Sequence, residues 1–198
     1  MKNNYNEQTD ISVDGHCLIK DFDTGEVLLD KHNAINFQNF AFAVANLLAN
    51  KSVSGNQFFI NRIAFGYGGT TVDANGNITY RSPKVDGVNG GLYNPLLDNA
   101  TPPAAYLKAV ESIELVDAES NPYSDITVKV ILDYDEPTTA PTLDNAQNFE
   151  TPSEWVIDEL ALVTETGDFL THLVFHPIQK SKNRKIDILY SLRIRAGV

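Results

Sequence analysis

Two histidines stand at a spacing that could bind a metal ion. His172 and His176 are four residues apart, as zinc-ligating histidines are on a helix, but they lie in a strand-like run that ends at Pro177. On one face of a strand they would be about 13 Å apart, which is too far for a shared ion. The glutamate of the helical HExxH motif is also absent. We therefore predict no metal site here and interpret both histidines as ordinary strand residues.

Asp158 and Glu159 are adjacent carboxylates in an apolar segment. Neighbouring side chains on a strand point to opposite faces, so this pair could not act as acid and base on one bond. If one of them were buried beside a hydrogen-bond partner, dominant desolvation would raise its pKa. A structural role is predicted for both.

Other short motifs suggest chemistry less specifically. Residues 66–70 (GYGGT) follow a predicted strand like a phosphate cradle, but lack the GxGxxG spacing, a P-loop lysine and a following helix. The Asp-rich turns at 21–26 and 73–77 resemble parts of calcium loops without the EF-hand pattern, so we read them as hairpin turns, with adventitious calcium as the alternative. No GxSxG motif occurs, and Cys17 lies in an alternating strand. We predict no catalytic residue, no cofactor and a protein that is not an enzyme.

The elements that position these residues are mainly strands. Period-2 alternation is clearest in 126–134 and 186–195, where one face is apolar, as in half-buried antiparallel strands. Residues 155–163 are apolar on both faces, with Trp155, Ile157, Ala161 and Val163 on one of them, which predicts a central strand. A turn at 166–168 links it to a hairpin partner at 169–176. Further strands are predicted at 17–22, 26–30, 58–65 and 106–115.

One segment follows the helical period. Apolar residues at i, i+3, i+4 and i+7 predict an amphipathic helix over 37–49, with Asn36 as its N-cap. The predicted fold is a mainly β, antiparallel β-sandwich with this one covering helix. We expect a flexible tail at 1–10 and a single domain at 11–198 with long loops at 66–104 and 135–153. Because such Gly-, Pro- and Asn-rich loops could not pack alone, we expect residues 66–104 to contact another polypeptide.

Composition excludes several classes of protein. The 198 residues are 42% hydrophobic and 21% charged, which is typical of one globular domain rather than a disordered chain. The net charge of −11 argues against binding nucleic acid or an anionic membrane. A single cysteine excludes an internal disulfide. No apolar run is long enough to span a membrane, and the first ten residues do not resemble a signal peptide.

Charge is distributed unevenly along the chain. Residues 180–198 carry six basic side chains and one acidic one, a net +5 that leaves −16 for the remainder. A head-to-tail contact between copies could use such a basic edge, and the alternative is a solvated strand face. The candidate interface residues are Arg193, Arg195, Lys182, Arg184, Tyr67, Tyr80 and Tyr93.

The order of these signals resembles virion structural proteins of tailed bacteriophages, in particular tail, collar and fibre-attachment modules. The matching motifs are Asn33-Ala34-Ile35, Ile63-Ala64-Phe65-Gly66-Tyr67-Gly68, Glu159-Leu160-Ala161-Leu162 and Lys180-Ser181. They span most of residues 15–195, with Ala161 where the pattern has Gly. Since the sequence stops at Val198 straight after the last strand, we expect a free-standing virion component.

The resemblance implies a multicopy tail, baseplate or neck protein that is made in the host bacterial cytoplasm and located in the virion. Its partners would be other virion proteins and further copies of itself, with no nucleic acid and no membrane. The alternatives are a head decoration or head-fibre protein and a carbohydrate-binding β-sandwich, which would need exposed aromatic residues such as Trp155, Tyr67, Tyr80, Tyr93 and Tyr123.

Overall fold

The computed structural model describes residues 11–52, 55, 57–86, 90–117, 122–138 and 154–196. Within these residues the chain forms two five-stranded antiparallel sheets that pack face to face, together with one helix and a small hairpin. The predicted fold is confirmed. The tail at 1–10 and most of the 135–153 loop lie outside the described residues.

The first sheet has the strand order β2-β1-β12-β9-β8. Its strands are β1 Ile11–Asp21, β2 Val27–His32, β8 Ser112–Asp117, β9 Tyr123–Leu132 and β12 Ile186–Ala196. The predicted alternation of β9 and β12 is confirmed, because Ile188 and Val130 pair across the two strands and both are buried. β12 lies between β1 and β9, so the basic C-terminal strand is not the sheet edge that its charge suggested.

The second sheet has the order β3-β11-β10-β4-β7. Its strands are β3 Ala34–Ile35, β4 Ile60–Gly66, β7 Leu107–Ala109, β10 Glu154–Thr164 and β11 Thr171–Ser181, and the separate hairpin joins β5 Thr70–Val72 to β6 Ile78–Tyr80. The central position predicted for residues 155–163 is confirmed. The core lies between the two sheets and includes Trp155, Phe65, Phe175 and Tyr190, all nearly or fully buried.

Two predicted strand boundaries were wrong. Residues 106–115 form two short strands rather than one, because the chain crosses from β4's edge in the second sheet to β9's edge in the first. Pro177 does not end its strand, since β11 continues to Ser181. The proline lies where the pairing with β10 is irregular, so its missing N–H costs no regular ladder bond.

The same irregularity is a register shift of β10 against β11 between Ile157 and Glu159, where Asp158 stands opposite three residues of β11, 175–177. Trp155 and Ile157 face the core before the bulge, and Leu160 and Leu162 face it afterwards, while Ala161 and Val163 pack in a second cluster on the outer side. The predicted grouping of Trp155 and Ile157 with Ala161 and Val163 was therefore wrong. This β-bulge interrupts the alternation of β10, and both Asp158 and Glu159 contact the 66–104 excursion.

Helix α1, Phe37–Leu48, lies across one end of the sandwich. Its predicted N-cap is confirmed, because the Asn36 side chain accepts a hydrogen bond of 3.1 Å from the Asn39 N–H. Asn39 in turn donates to the Phe169 carbonyl, and Phe42 packs edge-to-face on Phe58 at 5.3 Å. In the part of the chain described, α1 is too short to cross a membrane.

Candidate functional site

Glu159 is the centre of a buried polar network under the 66–104 excursion. Its carboxylate is fully buried and accepts four hydrogen bonds of 2.9–3.1 Å. Three come from backbone N–H groups of the excursion, at Gly68, Tyr93 and Asn94, and the fourth comes from His172 on β11. Two carboxylate oxygens offer about four acceptor sites, so all of them are filled.

The protonation of His172 follows from its partners. The backbone N–H of Lys84 can only donate, and it lies 2.7 Å from Nδ1 of His172. Nδ1 must therefore be the unprotonated nitrogen, and Nε2 carries the proton that is donated to Glu159 at 3.0 Å. The pair is a neutral imidazole bonded to a carboxylate, and both side chains are buried. His172 thus holds two parts of the excursion, directly through Lys84 and indirectly through Glu159.

Asp158 binds the same excursion one residue further along. Its two carboxylate oxygens accept from the backbone N–H groups of Gly69 and Thr70, both at 2.8 Å, and from the Thr70 hydroxyl. The prediction that Asp158 and Glu159 point to opposite faces was wrong because of the bulge. The predicted structural role agrees with these contacts, in which both carboxylates hold backbone amides of one loop.

The glycines of the GYGGT segment are needed for this close approach. A Cβ added at Gly66 would lie 2.5 Å from Oε1 of Glu159, and one at Gly69 would lie 2.9 Å from the Asp158 carbonyl oxygen. Either side chain would force the loop away from the sheet. The segment is an anion cradle built from backbone N–H groups, and the anions it holds are the chain's own carboxylates.

The two carboxyl groups respond differently to burial. Desolvation raises the pKa of Asp158 above its usual value, despite the hydrogen bonds from Thr70 and Gly69. Burial also pushes the pKa of Glu159 upward, but hydrogen bonds from His172 and from the Tyr93, Asn94 and Gly68 amides outweigh it and lower the pKa overall. Burial therefore dominates at Asp158, whereas hydrogen bonding dominates at Glu159.

Two of the three candidate interface tyrosines are also bound within the chain. The Tyr80 hydroxyl lies 3.1 Å from Nδ1 of His176. The Tyr93 hydroxyl donates to the Ser82 carbonyl at 2.7 Å, and the side chains of Arg81 and Lys84 lie over its ring. Tyr67 is exposed. The premise that the 66–104 excursion cannot pack on its own chain was wrong, so its contact with another polypeptide stays a prediction without that support.

The basic residues of β12 lie on the outer face of the first sheet, as predicted, and have acidic partners in the chain. Arg193 pairs with Asp125 through two hydrogen bonds of 2.7 and 2.6 Å and lies over the Tyr123 ring, and Arg195 pairs with Asp14. Both arginines line a polar groove of about 320 Å³. An acid on a neighbouring subunit would have to compete with these partners, so the predicted role in assembly stays a prediction.

The remaining basic candidates differ from one another. Arg184 donates to Asp21 at 2.8 Å and approaches Glu26 at 3.7 Å, whereas Lys182 is exposed. Lys180, which contributes to the basic C-terminal charge, is fully buried, and burial lowers the pKa of its ammonium group to about 8. The basic segment is therefore not one continuous surface.

An uncovered apolar surface lies at the end of the sandwich that carries α1. Eight large apolar side chains there are between 45% and 85% exposed. They are Ile11, Phe37, Phe42, Leu47, Leu48, Phe59, Ile113 and Leu115, and we call them the apolar end surface. Grooves of about 530 and 230 Å³ run along the two sides of the helix between it and the strands. This surface can bury apolar side chains of a partner.

The carboxylates of Asp158 and Glu159, with the backbone amides that they bind in the 66–104 excursion, form what we call the clamp. Sequence reasoning missed both the clamp and the apolar end surface. The excess of backbone donors in GYGGT indicated an anion, and the adjacent Asp158 and Glu159 were available, but the bulge that brings them together has no signal in the sequence. For the helix, the signal was present: residues 33–50 contain no charged side chain, and a helix that is apolar on most sides needs cover on more than one.

Among the described residues, no group of three or more His, Cys, Asp or Glu side chains is arranged to hold a metal ion. Trp155, proposed as an exposed aromatic for sugar binding, is 2% exposed and belongs to the core. Comparisons with protein-family models, with curated proteins and with solved structures found no match.

Proposed function

We propose that this protein is a non-enzymatic structural component of a tailed-phage virion, present in many copies in the tail, baseplate or neck. In this role it assembles with other proteins of the particle, further copies of itself included, and the apolar end surface is a contact surface. The proposal combines the sequence resemblance to such modules with the exposed apolar end surface, which the resemblance does not imply.

The observation that carries the proposal is the exposure of α1. Phe37, Phe42 and Leu48 are each more than half exposed on a helix that has no charged residue. A helix that is apolar on most sides is normally buried, and clustered exposed apolar side chains mark interaction sites. A protein that works alone in water would have polar residues at these positions.

The buried polar network supports a structural role over a catalytic one. In the described chain, the best candidate acid–base pair is Asp158 with Glu159, and every acceptor site on Glu159 is occupied by the chain's own donors. Both carboxylates are buried beneath the excursion. Their hydrogen bonds fix a loop and leave Glu159 no free oxygen for a substrate.

Particles purified from infected cells test the proposal. We expect mass spectrometry to find the protein in washed particles and electron microscopy to place it at a repeated position outside the DNA-filled interior. Leu48→Glu should reduce its incorporation at least tenfold, whereas Val72→Glu, on the distant β5–β6 hairpin, should not. Absence of the parent protein from washed particles would refute a virion role, and a position on the head would replace the tail assignment.

A further inference from the structure

The exposed face of α1 has a pattern that suits a second copy of itself. Phe37, Ala41, Ala45 and Leu48 recur at helical spacing and are all exposed, with small residues at the middle and large ones at both ends. Two such helices can approach closely at the alanines when they run antiparallel. Each Phe37 would then lie beside the Leu48 of the other copy.

The groove next to this face can receive those side chains. It has a volume of about 530 Å³ and is apolar, with Ile11, Val13 and Ile194 opposite the helix. Because large residues stand at both ends of the exposed stripe, the antiparallel arrangement brings one of them from the second copy to each end of the groove. The apolar lining of the groove therefore suits the apolar side chains that the second copy presents.

The size of the apolar end surface is that of a stable interface. A fully exposed large apolar side chain presents about 190 Å². At their observed exposures, the eight side chains present roughly 900 Å², compared with about 800 Å² per partner in a standard interface. The proposed contact places Phe37 and Leu48 in the interface directly, and Ile11 lines the same groove.

The two longest segments of the chain outside the described residues are poorly suited to cover it. Residues 1–10 contain only Met1 and Tyr5 as large apolar side chains. Residues 139–153 are joined to the sandwich at its opposite end, where Leu132 pairs with Ile186 and Glu154 pairs with Ser181. Neither supplies the apolar area that the helix face requires.

Charge also favours this face for contact between identical chains. Each copy has a net charge of −11, so two copies repel each other over most orientations. Residues 33–50 carry no charge, and the helix therefore offers a place where like charges are not brought into contact.

We propose that the protein forms a two-fold symmetric dimer in which α1 of one copy packs antiparallel on α1 of the other. This inference rests on the proposed assembly role and names the partner at the same surface. A two-fold contact uses one patch twice and closes on itself, so it covers both apolar ends without promoting filaments.

Sedimentation of the purified full chain tests it. The parent should be a dimer at micromolar concentration, and Leu48→Glu should weaken the association at least a hundredfold. Val72→Glu is the matched control, since Val72 is also exposed but lies on the β5–β6 hairpin, and it should remain dimeric. Circular dichroism that matches the parent would establish that Leu48→Glu is folded. A parent that is monomeric at all concentrations overturns the proposal.

Cross-linking tests the antiparallel arrangement separately. Cys17 is buried and burial raises the pKa of its thiol, so an introduced cysteine would be the reactive one. Phe37→Cys mixed with Leu48→Cys should form a disulfide between the two variants under mild oxidation. Neither variant alone should do so, because identical positions would be roughly 16 Å apart along antiparallel helices. Cross-links within each single variant, or none in the mixture, would overturn the arrangement.

The two proposals fail in different ways. A monomeric protein that enters particles would overturn the dimer and leave the virion role in place. A dimer that is absent from particles would overturn the virion role and leave the dimer in place.

Discussion

The 66–104 excursion and the α1 end of the sandwich differ in the opposite way to what their compositions suggest. The excursion is rich in Gly, Pro and Asn, yet five of its backbone N–H groups are bound to two buried carboxylates of the same chain. The helix has the spacing of a core-covering element, yet Leu48 is 85% exposed and Phe37 64% exposed. The backbone amides of the excursion find their acceptors within the chain, whereas apolar side chains of the helix are left exposed to solvent.

The difference shows that an interface is identified by whether the chain covers or hydrogen-bonds its own groups, and not by how polar a region is. A backbone amide needs one acceptor, and a carboxylate placed beneath a loop can serve several at once. An apolar side chain leaves water only when neighbouring atoms cover its surface. A single helix across the end of a sandwich has no element on its outer side to provide that cover. The unsatisfied region is therefore the helix.

The largest effect is expected from removing the centre of the clamp. Glu159→Ala leaves three backbone amides and the His172 N–H buried without their acceptor, which should lower the free energy of unfolding by about 3–5 kcal/mol. Urea unfolding followed by circular dichroism measures it. Glu114→Ala, at an exposed position on β8, should change stability by less than about 0.5 kcal/mol. Equal effects of the two variants would mean that the excursion is held by something other than Glu159.

How much of this could be read from the sequence depends on the residue. Alternation placed Val130 and Ile188 in the core, because both lie in strands with unbroken period 2, and Asn36 was recognised as an N-cap from its type and position. The bulge at 157–159 could not be read, since it depends on the pairing of β10 with β11. The exposure of α1 could not be read either, because helical spacing shows that a face is apolar without showing how much of it the sheets cover.

A smaller effect is expected at the outer face of the first sheet. Arg193→Ser removes the two hydrogen bonds to Asp125 and should lower the midpoint of thermal unfolding only slightly, because the pair is partly exposed and screened by solvent. High salt should reduce this difference between variant and parent in thermal unfolding. A destabilisation as large as that of Glu159→Ala would show that Arg193 is as essential to the fold as Glu159 is.

Asp21 provides a pH test away from both regions. A backbone hydrogen bond from Thr24 and the Arg184 side chain lower its pKa to about 2, against about 3.8 when unfolded. The lowered pKa means that Asp21 stabilises the fold above about pH 4, and that this stability is lost as pH falls toward 2. In Asp21→Asn that part of the acid dependence should be missing from unfolding curves recorded between pH 2 and 5. An unchanged acid dependence in the variant would contradict the assignment.

The smallest effect on stability is expected at the apolar end surface. Leu48→Glu changes a side chain that is already in water, so the free energy of unfolding of the monomer should change by less than about 0.5 kcal/mol. Chemical denaturation at a concentration low enough to keep parent and variant monomeric measures this. A large loss would show that Leu48 supports the fold itself and would remove it as a test of assembly.

The central claim is that assembly covers the apolar end surface and not the 66–104 excursion. Hydrogen–deuterium exchange of the isolated and the assembled protein, compared peptide by peptide, tests it directly. The isolated chain should already protect the amides of Gly68, Gly69, Thr70, Tyr93 and Asn94, and assembly should add protection at Phe37–Leu48 and Ser112–Asp117. New protection confined to the 66–104 excursion, with the helix and β8 unchanged, would contradict the account.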